Sequence, residues 1–108
     1  MRYTITGRNI EITDGLKKAV EEKLHKLGKY FTEETEAKIT LSVQKEAHKI
    51  EVTIPTKQGL IRAEEVSGDM YVSIDKVEDI IERQIKKFKN KLVDKKQSSV
   101  SFSDFFIR

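Results

Sequence analysis

The sequence predicts an α+β domain, a βαβββα two-layer sandwich: one four-stranded mixed sheet with both helices on the same face. Two observations carry this. Met70, Ile74, Val77, Ile81, Ile85, Phe88 and Leu92 recur at spacings of three and four, and Leu16, Val20, Leu24, Leu27 and Phe31 do the same earlier in the chain, so each set forms one stripe of a helix. Between the two stretches, Ala37, Ile39, Leu41 and Val43 alternate with Lys38, Thr40, Ser42 and Gln44, and Ile50, Val52 and Ile54 alternate with Glu51 and Thr53. Period two is the signature of strands buried on one face. Strands with a single apolar face need helices on that face only.

The elements follow in order. Tyr3 and Ile5 alternate with polar neighbours in a short first strand, and Gly7-Arg8-Asn9 marks a turn or bulge. Thr13 or Asp14 caps the first helix, and Gly28 is a weak point in it or marks an early end. Thr32 to Thr35 connects to the second strand, and Lys45 to His48 is read as the next turn. Pro55 is expected to stop the third strand, and residues 56–59 to form a hairpin loop. Leu60 to Val66 is the fourth strand, with Ile61 and Ala63 inward. Ser67-Gly68-Asp69 then caps the long second helix, Asp69 to Lys96. The first helix is a crossover, expected to be right-handed, which sets the first strand parallel to its neighbour. The other three strands form an antiparallel meander.

Composition narrows the function classes. The chain has 108 residues, 37% hydrophobic and 36% charged, with a formal net charge of +3 and no cysteine. That suits a single domain with one core, and it excludes disulfides and thiolate metal sites. No stretch has the length of a membrane span, and the first residues lack a signal-peptide core. These features are read as a soluble cytoplasmic protein with no membrane partner. Catalytic constellations are lacking. His25 is placed on the charged face of the first helix and His48 in a turn, both as surface histidines without metal-ligand spacing. Glu33-Glu34 with Glu36, and Glu64-Glu65, read as solvated charges rather than acid/base pairs, and the glycines make no phosphate loop. The expectation is a protein that is not an enzyme, with no cofactor, no metal and no small-molecule substrate.

What remains is charge. Asp75, Glu78, Asp79 and Glu82 fill the first half of the second helix, and Arg83, Lys86, Lys87, Lys89, Lys91, Lys95 and Lys96 fill the second. Acids first and bases last complement the helix dipole, but that effect fades within the last turn. Here only Asp94 interrupts the positive run from Arg83 to Lys96, which covers more than three turns. Such self-repulsion suits a polyanionic partner; a solvated face is the alternative. Lys17, Lys18, Lys23, Lys26 and Lys29 on the first helix add to it, so two adjacent cationic edges are expected to line a groove for phosphates. The open face of the sheet carries Thr40, Ser42, Gln44, Glu51, Thr53, Arg62 and Glu64 without an aromatic residue, which disfavours base stacking on the sheet.

RYTITGRNIEIT, a helix ending KLGKYF, then IEVTIP, LIRAEE and DMYVSIDKVEDIIERQIKKFKNK resemble the bacterial ribosome hibernation-promoting factors, also called ribosome-associated inhibitors or subunit-interface proteins. The resemblance covers residues 1–96. The Asp69-Met70-Tyr71 step, with Ile74-Asp75 and Glu82-Arg83-Gln84-Ile85 at fixed distance, is its specific signature, and RAEE with ERQIKK is most similar to the N-terminal domain of the long form.

The resemblance implies a fold similar to double-stranded RNA-binding domains. It also implies binding to the small ribosomal subunit and its rRNA, in the channel used by mRNA and by A- and P-site tRNA, so that translation stops by steric occlusion. Carried over, Arg83, Lys86, Lys87, Lys89 and Lys91 match the family's basic RNA-facing run, and Lys26 and Lys29 match basic positions near the end of the first helix. Asp69 and Tyr71 match the signature, where an N-cap and a packing aromatic stand beside direct RNA contact as readings. Long-form proteins continue through a linker into a C-terminal domain that pairs ribosomes. The chain stops at Arg108 and reads as a short form with an unusual apolar tail or as a fragment; the phenylalanine-rich tail favours the fragment, expected to occupy a ribosome without dimerising ribosomes. Residues 97–108, with three of the five phenylalanines, are read as the start of that linker or as an apolar docking segment. The other readings are a structured-RNA binder without ribosome specificity, and a protein-interaction module using the sheet edge or this tail.

Overall fold

The computed structural model describes residues 1–57 and 59–96, with side chains through Lys87. Phe88, Lys89, Lys91 and Leu92 as side chains, and the tail at 97–108, lie outside the described residues. The elements are β1 (Arg2–Arg8), α1 (Asp14–His25), a 3-10 turn (Lys26–Tyr30), β2 (Glu36–Gln44), β3 (Ala47–Thr56), β4 (Gly59–Ser67) and α2 (Met70–Lys96). Strand order in the sheet is β1-β2-β3-β4. β1 runs parallel to β2, and the other neighbours are antiparallel. This is the expected α+β mixed sheet with two helices.

Register explains why one face is dry. Ile5 pairs with Ile39, Ile39 with Val52, and Val52 with Ala63, so one apolar row crosses all four strands. That row meets Leu16, Val20 and Leu24 of α1, and Met70, Ile74, Val77, Ile81 and Ile85 of α2, all in a single core cluster. Burying each such side chain contributes about 1.5–3 kcal/mol. The opposite face is left to Thr4, Thr6, Lys38, Thr53, Arg62 and their neighbours. Lys49 lies there 3.6 Å from Glu51 and 3.5 Å from Glu64.

The helix ends are set by local chemistry. The Thr13 hydroxyl accepts the Leu16 N–H at 3.1 Å, which settles the first cap on Thr13 rather than Asp14. The α-helix stops at His25, and the chain tightens into the 3-10 turn through Gly28, an early end. Asp69 caps α2, its carboxylate accepting the Tyr71 N–H at 2.8 Å and its carbonyl the Ser73 N–H at 3.1 Å. The buried Ser73 hydroxyl donates to the His48 carbonyl at 2.7 Å, fastening the start of α2 to β3.

Three expectations are corrected. The turn after β2 is only Lys45-Glu46, because Gln44 pairs directly with Ala47 and Lys45 takes a left-handed φ of 57°. His48 is therefore a strand residue on the helix side of the sheet. It is partly buried, and its Nδ1 is buried without a hydrogen-bond partner among the described residues. Pro55 does not stop β3 but pairs with Leu60 inside the β3–β4 ladder. β2 pairs with β3 only as far as Thr53, so Pro55 sits where the strand has one neighbour and its missing N–H is tolerated.

Candidate nucleic-acid interface

The site begins with the direction of α2. Ser73 lies against Ser67, and the Gln84 amide donates to the Arg62 carbonyl at 2.7 Å, so α2 runs antiparallel to β4. Past Gln84 the helix continues to Lys96, about 18 Å at 1.5 Å per residue. From Arg62, β4 extends only about 10 Å back to Gly59. Only the last turn or so of α2 thus reaches past the end of β4, and Arg83, Lys86 and Lys87 lie alongside the strand.

Arg83, Lys86 and Lys87 are exposed on one face of this half, since residues three and four apart are neighbours on a helix. Lys86 Nζ is 3.9 Å from Glu82. Among the described residues, neither Arg83 nor Lys87 pairs with a carboxylate. Lys26 and Lys29 are exposed at the end of α1, spaced to eclipse on the 3-10 turn. The Lys29 ammonium stands 5.2 Å from the centre of the Tyr30 ring.

The two helices run side by side in the same direction: the Tyr71 hydroxyl sits over Gly15, and Lys23 Nζ lies 2.6 Å from Asp75. The groove between them has a volume of about 450 Å³ and includes Ala19, Lys23, Lys26, Tyr71, Ile74 and Asp75. This corrects the expected groove with two cationic edges. α1 faces the acidic first half of α2, so bases line one wall only, and Arg83, Lys86 and Lys87 stand further along. The hydrogen bond to Asp75, and the field of Asp75, Glu78 and Asp79, hold the Lys23 pKa above the usual lysine value against the opposing effect of desolvation.

The signature residues separate. Asp69 is an N-cap. Tyr71 is 53% exposed at the edge of the groove and is not a core aromatic. Sequence reasoning missed Glu78, which is buried. Desolvation pushes its carboxyl pKa up, repulsion from Glu82 and Asp79 adds to this, and Lys26 and Lys23 partly oppose it. The three carboxylates lie within 4.8 Å of one another. Its place was legible, four residues after Ile74 and three before Ile81 on the apolar stripe. Among the described residues no helix is long and apolar enough to cross a membrane.

Comparison with known proteins decides the family. A family model described as "Sigma 54 modulation protein / S30EA ribosomal protein" matches residues 3–93. The chain belongs to this family. It is 40% identical over 100 residues to a protein of Deinococcus radiodurans named ribosome hibernation promotion factor, covering 88% of this chain and 52% of that one. It is 42% identical over 109 residues to a protein of the same name from Lactococcus lactis subsp. cremoris, covering 98% of this chain and 59% of that one. The chain thus spans little more than half the length of these S30EA-family relatives.

Among solved structures, the Thermus thermophilus Protein Y N-terminal domain superposes with a TM-score of 0.74 at 38% identity, covering 82% of this chain and 99% of that one. A ribosomal subunit interface protein from Coxiella burnetii gives 0.73 at 24% identity, covering 83% and 99%, and supports the fold alone.

Proposed function

We propose that this S30EA-family chain is an RNA-binding domain that docks on the small ribosomal subunit and promotes ribosome hibernation. In this reading the exposed ridge of Arg83, Lys86 and Lys87 lies against rRNA phosphates. Lys89 and Lys91, which follow in the basic run of the sequence, are further contacts, and Lys26 and Lys29 form a second line. The domain, residues 1–96, fills the channel of mRNA and of A- and P-site tRNA and silences translation by occlusion. It needs no cofactor and acts in the cytoplasm. Pairing of ribosomes requires a further C-terminal domain, and residues 97–108 are a tail or the start of a linker to it.

The observation that carries the reading is the exposed charge of Arg83 and Lys87, neither of which pairs with a carboxylate among the described residues. Exposed cations clustered on one helix face suit a phosphate backbone, whose neutralisation releases counterions. The names of the relatives agree with this reading. Its test is cosedimentation with small subunits across a salt series, with tRNA as competitor. Wild type is expected to bind and to lose affinity steeply with salt, whereas Arg83→Glu/Lys86→Glu/Lys87→Glu, still folded by circular dichroism, is expected to remain in the supernatant. Ribosome occupancy that survives the triple reversal would sink the reading. Equal binding to any duplex RNA would reduce it to a general RNA-binding module.

A further inference from the structure

The groove between α1 and α2 has features that phosphate binding on the ridge does not use. Its floor is apolar, formed by Ala19 and Ile74, and Tyr71 stands at its edge with half its surface bare. The residue facing the phenol is Gly15, where a Cβ would come within 3.2 Å of the Tyr71 oxygen. Any side chain there would crowd the phenol, so glycine leaves the ring undisturbed. The position of the bases is equally specific. Lys23 is engaged by Asp75 at 2.6 Å, while Lys26, exposed on the same wall, forms no ion pair among the described residues. Glu22 and Asp75 bring carboxylate oxygens to the groove.

A flat apolar surface beside a tyrosine ring, a cation within the same groove and carboxylate acceptors together match a nucleotide. The ring offers a stacking platform, the ammonium a partner for phosphate, and the carboxylates acceptors for the exocyclic amino group of adenine, cytosine or guanine. A volume of about 450 Å³ falls within the roughly 300–1,000 Å³ of small-ligand sites. A base inside a duplex has no free face, so the ligand is an unpaired one.

We propose that this groove takes a single unpaired nucleotide of the bound RNA, its base stacked on Tyr71 and its phosphate on Lys26. The assignment rests on the RNA-binding reading of the ridge and adds to it a preference for RNA with an extruded base. The groove thereby distinguishes among structured RNAs, which a ridge of lysines and arginine does not.

The test uses two RNA hairpins identical except for one bulged adenosine, titrated at fixed low salt against the full chain and three variants. Wild type is expected to bind the bulged hairpin roughly ten- to a hundredfold more tightly than the paired one. Tyr71→Ala is expected to erase that preference while leaving affinity for the paired hairpin unchanged, and Tyr71→Phe, which keeps the ring, to retain it. Arg83→Glu/Lys86→Glu/Lys87→Glu is expected to weaken both hairpins alike. A preference that persists in Tyr71→Ala overturns the groove assignment and leaves the ridge standing. So does equal binding of both hairpins by wild type, which would give the groove to a protein partner. Failure of wild type to bind either hairpin overturns the groove assignment, and the ridge is then decided by cosedimentation with small subunits.

Discussion

Lys23 and Asp75 meet at 2.6 Å across the groove and tie the last turn of α1 to the first turns of α2. The contact fixes which halves of the helices face each other. It thereby keeps the basic half of α2 away from α1 and free for a partner. Because Asp75 is two-thirds exposed, the pair is screened by solvent and salt and orients more than it stabilises.

For this pair the expected pH dependence lies in alkali. The Lys23 pKa is raised in the fold, so its stabilisation is complete below the ordinary lysine value and is lost as pH rises through the higher folded value. Asp75→Asn is therefore expected to change the melting temperature little at pH 7 and to reduce the loss of stability above pH ~10.5. Thermal melts of both proteins along an alkaline series check this.

Glu78 behaves in the opposite sense to a paired carboxylate. Its folded pKa is raised by burial first and by Glu82 and Asp79 second, so the folded state binds a proton that the unfolded state has already released. Stability falls as pH climbs from the ordinary carboxylate value through the raised one. Glu78→Gln is expected to raise the urea midpoint at pH 7, with little change at pH 4. Equal shifts at both pH values would show that charge is not the cause.

Asp69 is expected to act on stability alone. Removing its cap with Asp69→Ala costs about 1 kcal/mol, read as a lower urea midpoint with an unchanged m-value. RNA affinity of the folded variant is expected to stay at the wild-type level, and a drop in affinity larger than the unfolded fraction explains would restore Asp69 as a contact.

Ile81 and Val72 provide a contrast on one helix. Ile81 is fully buried and Val72 is 41% exposed. Ile81→Ala is expected to cost about 2–5 kcal/mol and Val72→Ala less than about 0.5 kcal/mol. Chemical denaturation of the two variants measures both.

Lys87 tests the ridge one charge at a time. Lys87→Ala is expected to lower the slope of log affinity against log salt by about 1 and to weaken all RNA ligands alike. Weakening confined to the bulged hairpin would place Lys87 in base readout instead.

Much of the fold was legible because burial imposes a period on the chain. Met70, Ile74, Val77, Ile81 and Ile85 could be assigned to one stripe, and Ile39, Leu41, Ile50 and Val52 to one face, before any contact was known. The misplacements, at His48 and Pro55, fall where pairing rather than pattern decides. A two-residue turn at Lys45-Glu46 carried His48 into a strand, and the early end of β2 pairing made room for Pro55. The candidate site was half legible. The run from Arg83 to Lys87 is visible as charge, but the groove is not, because Tyr71 and Gly15, or Lys23 and Asp75, are far apart along the chain.

The order of residues alone determined the element sequence, the buried stripes and the polarity of α2, since each depends on neighbours within a turn or a strand. Only tertiary structure decided that α1 lies against the acidic half of α2, that Glu78 is enclosed, and that Arg83, Lys86 and Lys87 stand clear of α1. Those outcomes depend on how far each helix slides over the sheet, and that is set by contacts between distant segments such as Ser73 with His48 and Gln84 with Arg62.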